Sequence, residues 1–210
     1  MIRAVLDACV LYPTVLREIL IGTADAGLYT PLWSARILSE WHHAAARLGE
    51  PQTSIAGAEV ALLRLGHPGA EVPAPLSERA AGYDWPDPAD RHVVETALAA
   101  GASVIVTANL RDFPSRALSA LGLRAIHPDP FLLDLWRGDA APVAASVRAA
   151  HERAQALGGP VPLRDLMGRA RLPRLGKALG RTLAPPLVRN LDSVAQPGHN
   201  GRPDREKRRG

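Results

Sequence analysis

Two short aliphatic runs, each passing directly into a polar residue, organise the first two thirds of the chain. Residues 2–6 (IRAVL) end on Asp7, and residues 103–106 (SVIV) end on Thr107. Unbroken apolar runs of this length predict strands buried on both faces, as in a parallel sheet. Residues 28–32 and 124–126 predict two further strands. Between them the apolar period becomes helical. Pro13 opens a helix with Leu16, Ile19 and Leu20 on one face, closed by Gly27. Ser34 is the predicted cap of a second helix, which turns Ile37, Leu38 and Trp41 inward and ends at Gly49. Residues 52–66 predict a third, with Ala58, Ala61, Leu62 and Leu65 as its apolar stripe. Residues 88–100, 115–121 and 129–136 predict three more. The Pro- and Gly-bearing stretch 68–86 has room for one short helix over Leu76–Ala81.

Strands that alternate with helices predict an α/β fold, with a central, mainly parallel sheet flanked by helices. Ligand sites in such sheets lie beyond the carboxyl ends of the strands. Asp7 and residues 107–112 follow their strands directly, so they occupy that edge.

The pattern changes after Trp136. Residues 137–142 (RGDAAP) read as a linker, and 143–157 as an Ala-rich helix. Residues 161–183 are basic, with Leu163, Leu166, Met167, Leu175 and Leu179 as packing positions and Pro173 dividing them into two short helices. The expected organisation is an α/β domain over 1–136, a basic helical C-terminal subdomain over 140–185, and a disordered basic tail over 192–210. Charge follows the same division. The net charge is +4, but residues 1–130 hold 10 Lys/Arg against 14 Asp/Glu, and residues 131–210 hold 15 against 7. A basic appendage suits a polyanion such as nucleic acid, and it equally suits simple solvation of helical surfaces.

With only two Phe, the core must be aliphatic. No run of about 18 apolar residues is present, so no membrane span is expected. An acid at position 7 argues against a targeting segment. The single cysteine excludes an internal disulfide and a thiolate metal site, and fits a reducing cytoplasm. Cys9 itself reads as a small buried apolar residue.

Four acids stand out against this frame. Asp7 ends the first strand; Glu40 lies inside the helix SARILSEWHHAAARLG; Asp90 begins the helix in DPADRHVVETALAAGA; Asp112 follows the second strong strand in SVIVTANLRDFP. Each has an ordinary reading too. Asp7 is then a turn acid, Glu40 a solvated helix residue, Asp90 a helix N-terminal charge in competition with Asp87, and Asp112 a cap for the following helix. Taken together, at strand ends and helix starts, they suggest carboxylates converging on a hard divalent cation, the arrangement phosphodiester hydrolysis requires. Thr107 and Asn109 are candidate polar helpers, and Arg111 a candidate phosphate contact. His92, two residues past Asp90, is near enough in sequence to approach the group. No GxxxxGK[ST], GxGxxG or G-x-S-x-G segment is present, which argues against P-loop hydrolases, dinucleotide oxidoreductases and serine hydrolases.

The order LDACVLYP, ILSEW and DPADRHVVETALAAGASVIVTANLRDFP resembles PIN domains over about residues 1–135. The third block is the most specific, combining an acid that opens a helix, a strand, and T-x-N-x-x-D-F. The VapC-like ribonuclease toxins of type II toxin–antitoxin systems are the branch it resembles, in a longer form with an added C-terminal helical segment. The resemblance implies a PIN-like three-layer fold and a Mg2+- or Mn2+-dependent endoribonuclease acting on structured RNA such as tRNA or rRNA. It also implies a small cognate antitoxin and homodimers. On the matched positions Asp7, Glu40 and Asp90 would bind metal. Many PIN domains carry Asp where this chain has Asn109, so Asp112 would supply the fourth carboxylate, with Asn109 as a neutral ligand or an orienting group. Two rivals remain. One is a catalytically weak PIN-like module that binds RNA or antitoxin. The other is an aspartyl-phosphate phosphatase, disfavoured because Cys9 stands where a second Asp is needed.

Removing residues 192–210 is expected to leave the melting temperature nearly unchanged. A large drop in a thermal unfolding experiment would overturn the assignment of that tail.

Overall fold

A computed structural model describes residues 1–73 and 79–183. The element order begins β1 (Ile2–Leu6), α1 (Ala8–Leu11), α2 (Thr14–Asp25), β2 (Tyr29–Ser34), α3 (Ala35–Ala46), α4 (Glu50–Gly66) and β3 (Glu71–Val72). It continues with α5 (Arg91–Ala99), β4 (Val104–Val106), α6 (Ser115–Ala120), β5 (Arg124–Ile126), α7 (Pro128–Gly138), α8 (Ala140–Gly158), α9 (Leu163–Arg169) and α10 (Pro173–Leu183). Single 3-10 turns over Pro88–Asp90 and Leu110–Asp112 precede α5 and α6.

The five strands form one sheet in the order β3-β2-β1-β4-β5, and every pairing among them is parallel. Parallel neighbours require crossovers, which the helices supply. From β1 the chain winds outward to β2 and β3. It then returns to the other side of β1 for β4 and β5. The change of direction falls between β1 and β4, where Leu6 pairs with Val106. That is the point at which an open α/β sheet leaves a crevice at its carboxyl edge. The aliphatic runs are buried as expected: Ala4, Val5 and Leu6 in β1 and the whole of β4.

Most helices follow their sequence patterns. Ser34 Oγ accepts from Ile37 N at 3.3 Å and caps α3, and Ile37, Leu38 and Trp41 are buried. Gly27 has φ +80°, the left-handed conformation that lets the chain turn from α2 into β2. A buried arginine joins the first four helices. Arg17 on α2 donates to the carbonyls of Leu11 at 2.6 Å and Tyr12 at 3.2 Å, pairs with Glu59 of α4 at 2.5 Å, and lies 4.5 Å from the Trp41 ring centroid. A guanidinium so deeply buried is tolerable because its donors are satisfied.

The stripe expected on α4 is wrong. Ala58, Ala61, Leu62 and Leu65 are exposed, and the buried residues are Ala56, Val60 and Leu63. This helix carries two apolar stripes of the same period. The face turned inward is the one that brings Glu59 to Arg17. The expected linker over 137–142 is also absent, since α7 reaches Gly138 and α8 starts at Ala140. Asp139 alone separates them, its Oδ1 accepting from Ala141 N at 3.3 Å. Leu76–Ala81 lies largely outside the described residues, and residues 79–82 form a turn. The tail expected over 192–210, and residues 184 and 185, also lie outside the described residues.

The last helices share the core. Val143, Val147 and Ala150 of α8 are buried, and α8 packs on α2. Leu166, Met167, Leu175 and Leu179 are buried as the pattern expects, and Leu163 is partly buried against the core. The docking is polar as well as apolar. Asp129 on α7 is buried, and its two carboxylate oxygens accept from Arg174 N and Leu175 N, each at 3.0 Å. These are first-turn amides of α10, which have no partner within their own helix. A carboxylate there also complements the helix dipole.

Asp129→Ala would leave two first-turn amides without an acceptor. It is expected to lower stability by about 1–3 kcal/mol. Hydrogen exchange at Arg174 and Leu175 should accelerate before exchange in β1 does. Equal protection in the variant would show that the apolar contacts alone hold α10.

Candidate active site

The carboxyl edge of β1 and β4 carries four of the sequence-predicted residues, Asp7, Thr107, Asn109 and Asp112. Asp7 N donates to Val106 O at 3.1 Å, extending the sheet register by one residue. This sets Asp7 beside Thr107, whose hydroxyl donates to Asp7 Oδ2 at 2.7 Å. Both side chains are buried. Among the described residues, Asp7 Oδ1 accepts no hydrogen bond from the protein. Thr107 Oγ1 in turn accepts from Asn109 N at 3.0 Å, which shapes the loop after β4. Asn109 Nδ2 donates to Asp112 Oδ2. Asn109 therefore stands as the group that orients Asp112. Asp112 does not cap α6, whose N-terminal residue is preceded by Pro114 without a side-chain cap.

Asp90 is also released from capping. Asp87 Oδ1 accepts from Ala89 N at 2.8 Å and caps the 3-10 turn, while the Asp90 side chain caps nothing. Its carboxyl is pushed up to about 6, by burial first and then by the charges of Asp7, Asp87, Asp112 and Glu40. Three of those four neighbours are the other acids singled out in the sequence. Segments far apart in the chain thus bring their charges to bear on one carboxyl group.

Glu40 sits on the neighbouring helix α3, about a third exposed. Its Oε1 lies 2.8 Å from His92 Nε2 and 3.3 Å from Arg36 Nε. The imidazole contact is close but lacks in-line hydrogen-bond geometry. Burial works to raise the Glu40 carboxyl, but contact with His92 and Arg36 outweighs it and holds the group below its ordinary range. Arg36 also donates to Ala89 O at 3.1 Å, tying α3 to the turn that carries Asp90.

Reasoning from the sequence missed Arg36. It is an exposed helix residue, and only its i,i+4 spacing to Glu40 hinted at the pair. The polar role of Cys9 was missed as well. Cys9 is only partly buried, and its thiol donates to Asp7 Oδ2 at 3.1 Å. Its sulfur accepts from Ala108 N at 3.2 Å and lies 3.3 Å from Thr107 Oγ1. Burial, and then the Asp7 charge, push the thiol up to about 12, so it stays protonated and is not a nucleophile. Arg111 is exposed and has no ion-pair partner among the described residues.

The acids are coupled but not clustered. Among the described residues, no three Asp, Glu, His or Cys side chains are drawn together tightly enough to hold a metal ion by themselves. No described helix is long and apolar enough to cross a membrane.

The charge on Asp90 has a measurable consequence. Its folded-state pKa lies above the ordinary carboxylate value of about 4, so the native state holds the proton more tightly than the unfolded chain. Stability is then lost as pH rises from that value through about 6. Asp90→Asn is expected to raise the melting temperature at neutral pH, by a few degrees at most because the group is only partly buried. The gain should vanish once the pH falls below the ordinary carboxylate range. A lower melting temperature at neutral pH would mean that Asp90 makes a favourable contact and not a repulsive one.

Known proteins bear on this geometry in two ways. Over 45 residues the chain is 53% identical to "Putative ribonuclease VapC50" of Mycobacterium tuberculosis (strain ATCC 25618 / H37Rv), a match covering 21% of this chain and 27% of that protein. The chain thus spans about a quarter of the length of that curated relative. No solved structure matches it. The family profile described as "PIN domain" matches residues 3–111, just over half of the chain and the whole span from β1 to the loop carrying Asn109. With its parallel sheet and the placement of Asp7, Thr107 and Asn109, the chain belongs to the PIN-domain family.

Proposed function

We propose that this chain is a Mg2+-dependent endoribonuclease, the toxin of a toxin–antitoxin pair, hydrolysing phosphodiester bonds in structured RNA such as tRNA or rRNA. The observation that carries the reading is Asp7, bonded to Thr107 at the switch point of a PIN-family sheet, with Asp112 held by Asn109 in the loop after β4 and the charges of Asp7, Asp112 and Glu40 bearing on Asp90. The partly matched relative, which bears a ribonuclease name, supports it.

The donor set suits a hard cation. It is all carboxylate oxygen, and Asp90 is destabilised by like charge in a way that a bound cation would relieve. The open spacing suits an ion that keeps several of its waters and takes only one or two carboxylates directly. Asp7, Glu40, Asp90 and Asp112 would hold Mg2+ or Mn2+. When bound, such an ion supplies neutralisation of phosphate charge and a water acidic enough to act as nucleophile. The chain's own contribution is positioning. Thr107 and Cys9 fix Oδ2 of Asp7 and leave Oδ1 without a hydrogen bond among the described residues. Asn109 fixes Asp112. His92 and Arg36 keep Glu40 ionised. Arg111, exposed beside Asp112, is placed for a phosphate oxygen of the substrate. A small cognate antitoxin and self-association into homodimers are the protein partners this reading carries.

The open spacing of the acids also favours a second reading, a catalytically weak module that binds RNA or antitoxin. One experiment separates the two. Purified protein is incubated with total tRNA and rRNA in Mg2+, in Mn2+ or in EDTA, beside Asp7→Asn and Asp90→Asn. The nuclease reading expects discrete cuts that require metal and fall on the order of a hundredfold or more in each variant. Folded, antitoxin-free protein that makes no metal-dependent cuts would pass the case to the binding module.

A further inference from the structure

The C-terminal helices present a cationic cavity to the catalytic loop. The cavity is about 540 Å3 and is lined by Leu110, His127, Asp129, Arg171 and Arg174 among others. Leu110 lies between Asn109 and Arg111, so its wall is at most about 7 Å of chain from Asp112. The arginines come from the end of α9 and the start of α10, more than fifty residues away in sequence. Both are exposed, and neither guanidinium has a partner among the described residues. Asp129, the nearby acid, has both oxygens committed to the backbone amides of Arg174 and Leu175. His127 Nδ1 accepts from Asp129 N at 3.2 Å, so a neutral ring carries its proton on Nε2 and is a donor there. Burial, and the charges of Arg171 and Arg174, hold this imidazole below its ordinary range against the pull of Asp129. The charged side chains lining the cavity are thus two arginines against one carboxylate, whose oxygens are already taken up by backbone amides.

Arg171 is also in a conformation that argues for its side chain. It has φ +57° and is the one described non-glycine residue with positive φ. The local structure explains the conformation. Arg171 N donates to Gly168 O at 3.0 Å and Leu172 N to Met167 O at 2.9 Å, the paired bonds that close a helix on a left-handed residue. Leu172 and Met167, both buried, complete the motif. Glycine is the residue this position favours on backbone grounds. An arginine there is not explained by folding.

We propose that Arg171 and Arg174 form a phosphate-binding edge for the RNA strand, seating a phosphate in this cavity beside the scissile position. The inference rests on the nuclease reading for its substrate, and it gives the basic extension a role. The acidic centre repels a polyanion, and Arg36 is already engaged with Glu40. A pair of guanidinium groups without a partner among the described residues, on backbone that is fixed next to the loop, offsets that repulsion. Guanidinium groups bind phosphate through charge-assisted, bidentate hydrogen bonds. Each contact also releases counterions, so it has a signature in salt dependence.

The test uses the full chain in EDTA, where no cutting occurs, and a fluorescein-labelled 2′-O-methyl oligoribonucleotide as probe. Binding is followed by anisotropy over a series of KCl concentrations for wild type, Arg171→Gly, Arg174→Gln and the charge-matched control Arg47→Gln at the far end of α3. The edge expects Arg171→Gly and Arg174→Gln each to weaken binding roughly threefold to tenfold and to flatten the log–log salt slope by about 0.7. Arg47→Gln should change neither beyond a small general effect. Arg171→Gly should melt at the wild-type temperature or above, which separates lost contact from lost fold. If both variants match Arg47→Gln in affinity and slope, or if wild type does not bind the probe, the edge is overturned. Cleavage of tRNA and rRNA in Mg2+ is scored separately. Wild type that binds with the expected slopes but never cuts leaves the edge standing and removes the nuclease. Variants that bind like wild type while wild type cuts remove the edge alone.

Discussion

Asp7 and Thr107 are separated by 100 positions and joined by a 2.7 Å hydrogen bond, and the candidate site depends on that contact. It exists because β1 and β4 pair in parallel and both end at the same edge. The pairing is driven by burial of two aliphatic runs, and its register is held by backbone bonds. The polar residues that follow have no freedom to part. Everything else at the site is referred to this pair. The Asn109 amide closes on Thr107, Asn109 holds Asp112, and the charge of Asp7 contributes to the pressure on Asp90.

The same physics decides what was legible beforehand. β1 and β4 are apolar on both faces, so composition alone marks them, and the acid or threonine after each is marked with them. α3 was legible because Ser34, Ile37, Leu38 and Trp41 all agree. α4 was not, because two stripes of equal period compete and a buried ion pair, Arg17–Glu59, chooses between them. No periodicity contains that information. The break between α7 and α8 was over-read. RGDAAP has linker composition, but Asp139 caps one helix while ending another, so a single residue makes the junction. Asp7, Asp90 and Asp112 stood out in the sequence from their places at element ends, and Glu40 only as an acid within a helix. Arg36 and the polar role of Cys9 were not, since each depends on a cross-chain contact. The competition between Asp87 and Asp90 was settled by geometry, Asp87 taking the cap and leaving the Asp90 side chain uncommitted to one.

Charge segregation along the chain acquires a meaning once the fold is known. The acidic segment builds the sheet edge. The described part of the basic segment, up to residue 183, follows on helices that share its core. A basic appendage on a flexible tether would raise the local concentration of a polyanion without placing it. Here α10 is fixed to α7 by a carboxylate that takes two amides of its first turn. The bond does not consume the charge of Arg174, because it is made by backbone and not by guanidinium. Structure and surface charge are thereby supplied by different atoms of the same residue.

Local preference and global arrangement agree over most of this molecule, and the exceptions are informative. Sequences that fold well choose, position by position, residues suited to their backbone, and departures concentrate where another demand acts. Two departures stand out. Asp90 is held where burial, and then four like charges, raise its pKa, and its side chain does not cap the helix it precedes. Arg171 is held at positive φ where glycine would be easier. One is an anion among like charges and the other a cation with no partner among the described residues; the loop from Thr107 to Asp112 meets both, through Asp112 and through Leu110. A folded chain on its own gains nothing from either. A ligand with both negative oxygens and a need for counter-charge, such as a phosphodiester strand with its cations, satisfies both at once.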